Sequence, residues 1–185
     1  MSIHRGTITV FGSSQVQEGD SRYTEARGIG RLLTKAGFAI CCGGYGGLME
    51  AVSRGAREGG GHTIGVTLDI FSLRPANSWI VEEQRNPTYL ARVERMIALG
   101  DGYLELSGGI GTLSEVAMAW SLLQIHSLPP RPHVLLGKAW ANMVEAFRRN
   151  LIIREDDYRL LQLAETPEEA VALLEKAIPA EEVRR

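Results

Sequence analysis

Five apolar residues in a row, Phe38-Ala39-Ile40-Cys41-Cys42, run into Gly43-Gly44-Tyr45-Gly46-Gly47 and then into helical spacing. The order recurs at residues 103–106, a short strand that leads to Ser107, Gly108, Gly109 and Gly111 before helical periodicity begins at Thr112 and Leu113. A strand that is apolar without interruption must be covered on both faces, which a parallel sheet between helical layers achieves. Further strands are expected at 7–11, 62–68, 79–81 and 133–136. Helices are expected at 23–36, with Gly37 as its cap, and at 48–58, 87–99, 139–150 and 167–177. Thr166-Pro167-Glu168-Glu169 has the form of a capping box with proline at the first helical position. Residues 69–77, with Arg74-Pro75, read as a loop, and the tail 181–185 as frayed. The expected fold is α/β: a single Rossmann-like doubly wound domain over residues 1–185, with a mainly parallel sheet and helices on both faces.

Composition narrows the function classes. The formal net charge of −2 offers no basic footprint for nucleic acid or an anionic membrane. No apolar run approaches the roughly 20 residues that span a bilayer, and His4-Arg5 interrupts any apolar signal core, so a cytoplasmic protein is expected. The adjacent Cys41 and Cys42 end an apolar strand and read as buried small residues rather than reactive thiols. The four histidines, His4, His62, His126 and His133, lack metal-ligand spacing.

Both glycine clusters follow strands, so both belong at the carboxyl edge of the sheet, where such folds bind ligands. Glycines at a strand-to-helix turn let several N–H groups converge, and the helix dipole favours an anion there. Gly108, Gly109, Ile110, Gly111 and Thr112 are thus a candidate phosphate nest. Gly43, Gly44, Gly46, Gly47 and Met49 form a second, less specific cluster. Ser13 and Ser14, after the first strand, add hydroxyls at the same edge or make an ordinary polar turn. Glu115 is placed in the first turn of the helix after the nest, either as a dipole-complementing residue or as a carboxylate held beside an anion site. A Walker-type loop is not supported, since the only Gly-Lys pair, Gly137-Lys138, is followed by Ala139. A dinucleotide fingerprint fits poorly, because the first glycine cluster follows the second strand, though Asp69 keeps that reading open. Arg92 and Arg95 stand one turn apart on the helix before the nest, with Leu90, Val93 and Ile97 on the apolar face.

Taken together these motifs resemble the Lonely Guy (LOG) family of phosphoribohydrolases and nucleotide nucleosidases, a group often mislabelled "lysine decarboxylase". The family's Pro-Gly-Gly-x-Gly-Thr-x-x-Glu motif is similar to Ser107-Gly108-Gly109-Ile110-Gly111-Thr112-Leu113-Ser114-Glu115. Its earlier glycine run is matched by Gly43, Gly44 and Gly46, followed by Met49-Glu50-Ala51, Gly55-Ala56 and Gly59-Gly60. Its upstream Arg-Lys pair falls on Arg92-Val93, with 115 − 92 = 23 positions from that arginine to the motif glutamate. The similarity covers residues 7–150. Ser107 stands where the family has proline, and Val93 where it has lysine, which removes a charge from the expected site.

The resemblance implies hydrolysis of the N-glycosidic bond of a nucleoside 5′-monophosphate (AMP or a cytokinin riboside 5′-monophosphate) to free base and ribose 5-phosphate. It implies Glu115 and Arg92 as the catalytic residues, phosphate at Gly108–Thr112, and no metal or organic cofactor. Nothing among three lysines marks a pyridoxal phosphate site, so the decarboxylase label is not supported. The same fold also resembles molybdenum-cofactor carriers, which leaves a non-catalytic binding protein for a phosphate-bearing ligand as the alternative. A homodimer is expected, since Val116, Ala119, Trp120 and Leu123 form more apolar surface than one sheet face needs and the resembling family dimerises near this helix. A small-molecule nucleotide is the expected partner, with no nucleic acid and no membrane.

Overall fold

The computed structural model describes residues 4–71 and 74–180. The tail at 181–185 lies outside them. Seven strands form one sheet: β1 (Gly6–Phe11), β2 (Phe38–Cys42), β3 (Thr63–Leu68), β4 (Glu82–Asn86), β5 (Gly102–Glu105), β6 (His133–Leu136) and β7 (Leu161–Ala164). The spatial order is β4-β3-β2-β1-β5-β6-β7, with every pairing parallel. Helices α1 (Ser21–Lys35), α2 (Leu48–Glu58) and α7 (Pro167–Ala177) cover one face. The other carries α3 (Tyr89–Leu99), α4 (Ile110–Gln124), α5 (Lys138–Asn150) and the single turn α6 (Glu155–Tyr158). This is the doubly wound α/β fold. Strand order reverses between β1 and β5, so the loops leaving those two strands diverge and open a crevice at the carboxyl edge.

Local sequence explains most of these elements. The central strands β2 and β3 are buried at every residue, as a strand covered by helices on both faces must be. Helices α1 and α2 cross in close contact because each presents glycine. A Cβ on Gly30 would overlap the Val52 carbonyl, and one on Gly55 would overlap the Arg27 carbonyl. Thr166 caps α7 by accepting from the Glu169 N–H at 3.2 Å, with Pro167 in its first turn.

Three sequence expectations need correction. The fourth strand is not at 79–81 but at Glu82–Asn86, where no residue is apolar. As an edge strand it is held by its ladder to β3, while Ile80 packs on the core just before it. Helix α4 starts at Ile110 rather than Thr112, which moves Glu115 from the first turn to the second. Val116, Ala119 and Leu123 of α4 are core residues and Trp120 packs against the core partly buried, so that stripe is not spare surface.

Candidate active site

Helix α3 begins at the Thr88 cap, whose hydroxyl accepts from the Ala91 N–H at 3.1 Å. That start brings Arg92 inward, over the carboxyl end of β3, rather than to the solvated face its helical position suggests. Its Nε donates to the Val66 carbonyl at 2.7 Å, and its Nη1 donates to Glu115 Oε1 at 3.3 Å. Both side chains of the pair are more than nine-tenths buried. The Tyr45 ring lies 5.9 Å from the guanidinium, and the Tyr45 hydroxyl accepts from the Leu68 N–H at 2.8 Å. Leu90, assigned to the apolar face, is exposed, whereas Val93 is fully buried among Met96, Ile97 and Tyr103. Position 93 therefore faces the core, and the valine there takes nothing from the cleft. Arg95 lies outside the pair and donates to Gln84 Oε1 at 2.6 Å.

Gly43 is explained by this arrangement. A Cβ there would overlap Arg92 Nη2 and sit 2.6 Å from the Met49 sulfur. The glycine leaves the space through which the guanidinium reaches Glu115. Gly108 acts in the same way for Thr112, whose side chain occupies the position a Cβ would take. Gly109 caps α4 with no side-chain acceptor, and the first turn holds no acidic residue. The first N–H groups of the helix are therefore free of an internal partner at the edge of the cleft.

Burial raises the Glu115 carboxyl to about 7, against the downward pull of the Arg92 charge. A group at that value exchanges a proton near neutral pH, as a general base must. Ser13 fixes the third wall. Its N–H donates to the Ser107 carbonyl at 3.0 Å, and its own carbonyl accepts from the Leu48 N–H at 2.8 Å. One residue of the β1 loop thus ties both glycine clusters together.

The resulting cleft has a volume of about 620 Å³. Of the expected site residues, Ser13, Ser14, Gly43, Met49, Arg92, Gly109, Ile110, Gly111, Thr112 and Glu115 line it. Gly44, Gly46, Gly47 and Gly108 do not. Gly44 and Gly47 have positive φ (75° and 74°), with Gly44 packed on Gly65 and Thr67, and Gly47 on the Ser13 and Ser14 backbone. They shape the loop without bordering the cleft. Sequence reasoning missed Tyr45, Ile70, Phe71, Arg74 and Tyr89 in the lining. Tyr45 was legible as the one large residue inside a glycine run. The others come from the loop after β3 and the start of α3, where no local pattern announces them.

A second buried pair escaped notice entirely. Glu105, the last residue of β5, shares a hydrogen bond with His133 Nε2 at 2.8 Å, and neither residue is exposed at all. Burial holds the Glu105 carboxyl well above its ordinary range and the His133 imidazole down at about 3. Both are therefore neutral. Cys41 and Cys42 are buried as expected, and burial pushes the Cys41 thiol up to about 12, away from reactivity.

Comparison with known proteins places the chain. The sequence model of the SLOG cluster4 family matches residues 5–126. The chain is 30% identical to a cytokinin riboside 5′-monophosphate phosphoribohydrolase of Rhodococcoides fascians, over 66% of this chain and 65% of that protein. It is 30% identical to the cytokinin riboside 5′-monophosphate phosphoribohydrolase LOG of Oryza sativa subsp. japonica, over 84% of this chain and 66% of that one. The matched regions thus span about two thirds of these relatives' own length. The fold is similar to that of the molybdenum cofactor binding protein from Rippkaea orientalis, with a TM-score of 0.76 at 22% identity, over 95% of this chain and 98% of that one. At that identity the likeness is one of fold. Motif, sequence match and architecture agree that the chain belongs to the LOG family, in its SLOG cluster4.

Proposed function

We propose that the protein hydrolyses the N-glycosidic bond of a nucleoside 5′-monophosphate, AMP or a cytokinin riboside 5′-monophosphate, yielding free base and ribose 5-phosphate. The observation that carries this reading is the Glu115–Arg92 pair opening onto the same cleft as the uncapped start of α4. The 5′-phosphate would sit against Gly109–Thr112, where free N–H groups and the helix dipole favour it. That anchor sets the ribose over Glu115. As the C–N bond breaks, positive charge develops on the ribose, and a carboxylate beside it stabilises that charge. The same carboxylate takes a proton from the attacking water, whose oxygen bonds to the anomeric carbon, while the base leaves with the bonding electrons and takes its proton from solvent, to which Glu115 then returns its own. Arg92 orients the carboxylate and holds it ionised for part of the time. The names of the relatives from Rhodococcoides and Oryza support this reaction class.

The second reading is a non-catalytic carrier of a phosphate-bearing ligand. It draws on one feature: among the described residues lining the cleft, Glu115 is the only carboxylate and none is a histidine, so no second acid stands ready for the leaving base. Incubating the purified protein with AMP and measuring adenine release separates the two. Adenine formed in proportion to enzyme supports hydrolysis. AMP bound without adenine formation supports the carrier.

The protein is further proposed to act as a cytoplasmic homodimer. No helix among the described residues is long and apolar enough to cross a membrane. The support for dimerisation moves from the buried stripe of α4 to its outer side. There Leu113, Ala117, Trp120, Phe147, Leu151 and Ile152 line an apolar groove of about 460 Å³. Light scattering at micromolar concentration checks this, and the mass of a single chain would dismiss it.

A further inference from the structure

We propose that Tyr89 is a positioning residue that braces the phosphate nest through Ser114, and so sets the preference for a phosphorylated ligand. This rests on the phosphate placement above. Glycine-rich turns favour close approach by a ligand, but their freedom must be restrained before binding or the ligand has to order them. Packing does little here. Gly109 and Gly111 are exposed, and a Cβ on either would meet nothing within 4 Å. Ser107, in place of the family's proline, leaves the entry to the loop less rigid as well.

What grips the first turn of α4 from outside is a two-step hydrogen-bond chain. The Ser114 hydroxyl donates to the Gly111 carbonyl at 2.7 Å. Its single proton is committed there, so in the 2.5 Å contact with Tyr89 it is the phenol that donates to Ser114 Oγ. Tyr89 is the first residue of α3, three before Arg92, and lines the cleft. One helix thus delivers both Arg92, which holds Glu115, and Tyr89, which holds the turn where phosphate is placed. The spacing between carboxylate and nest becomes a property of the α3–α4 contact rather than of the glycines.

The test uses the full chain with Tyr89→Phe, Ser114→Ala and the double variant, with AMP and adenosine titrated by calorimetry and AMP turnover measured. Tyr89→Phe keeps the ring and removes only the hydrogen bond. Each single variant is expected to weaken AMP binding about 5- to 10-fold, the range one hydrogen bond supports. KM should rise more than kcat falls, and adenosine binding should stay as in the wild type. The double variant should be no worse than either single one, because both cut the same chain. Unchanged AMP affinity in Tyr89→Phe overturns the proposal, as does an equal loss for adenosine, which would place Tyr89 on the nucleoside instead. Additive losses overturn it too. If the wild type binds AMP without releasing adenine, hydrolysis fails while the brace is still read by calorimetry. A wild type that binds no AMP overturns both.

Discussion

Glu115 and Glu105 lie on the same side of the sheet, each more than nine-tenths buried, and each carboxyl is pushed upward by burial. Their partners separate them. Glu115 meets a guanidinium that cannot give up its proton, at the rim of a cleft, and its carboxyl stops at about 7. Glu105 meets an imidazole inside the sheet–helix core, where Glu105 Oε2 and His133 Nδ1 have no partner at all. Sealed from water, that pair has settled on neutrality. Burial alone perturbs both groups, so a perturbed carboxyl does not mark a site. A carboxyl held at about 7 beside a permanent charge, and facing open volume, is a candidate for one.

The largest expected effect tests the cleft-facing member. Glu115→Gln keeps the volume and removes the charge, so AMP turnover should fall by at least ~100-fold while AMP binding persists. Wild-type hydrolysis in this variant would sink the proposed role. The same substitution should make the fold more stable. The folded-state value is raised above that of the unfolded chain, so the group's contribution is fully present below about pH 4.5 and lost as pH rises through about 7. The glutamine variant has nothing to lose. Its melting temperature should match the wild type at pH 4–5 and exceed it at pH 8, by a gain on the order of 3 kcal/mol. A melting difference that does not change with pH would mean Glu115 ionises freely.

Arg92→Ala comes next. It strands Glu115 and leaves the Val66 carbonyl without its donor. Breaking a buried pair usually costs roughly 3–5 kcal/mol, but here the carboxyl escapes by taking a proton, so a loss near ~2 kcal/mol is expected in urea unfolding. Turnover should slow as well. Stability equal to the wild type would show that the pair does not persist in solution.

How far these pairs were legible follows from their spacing. The fold came through because the inner strands announce themselves locally, and the span of β2 matched at both ends because its five residues are apolar and glycine follows. The edge strands did not. β4 is wholly polar, and β7, whose Leu163 is exposed, gives too weak an alternation to be noticed. The glycine turn before α4 and the position of Glu115 were legible through the motif. Arg92 was legible only through its distance to that motif, since its own helix argued for solvent. Its burial depends on Gly43, which lies two strands away in the sheet from β5. Glu105 and His133 sit 28 positions apart, in a strand read as alternating and one read as apolar, and only the register of β5 against β6 brings them together. No local pattern encodes that.

A pH profile sharpens the comparison further. If Glu115 is the base, kcat/KM for AMP should fall tenfold per pH unit below about 7. The phosphate of the substrate titrates near ~6 and adds a limb of its own. The two are told apart by the residual activity of Glu115→Gln, which should keep the substrate limb and lose the one near 7. A wild-type profile flat from pH 6 to 8 would contradict an essential ionised carboxylate.

The smallest effect belongs to the sealed pair. Glu105→Gln replaces a neutral acid by a neutral amide, and the amide can hydrogen-bond to His133 Nε2 as the acid does. Stability should change by less than ~1 kcal/mol, the scale of a single exchanged hydrogen bond. Turnover should stay within about twofold. The limb near pH 7 should also stay in place, because a protonated Glu105 exerts no charge on Glu115. A limb displaced downward in this variant would show that Glu105 carries charge in the folded protein. The two carboxyls would then titrate as one coupled group, and the separation between a sealed pair and a working one would not hold.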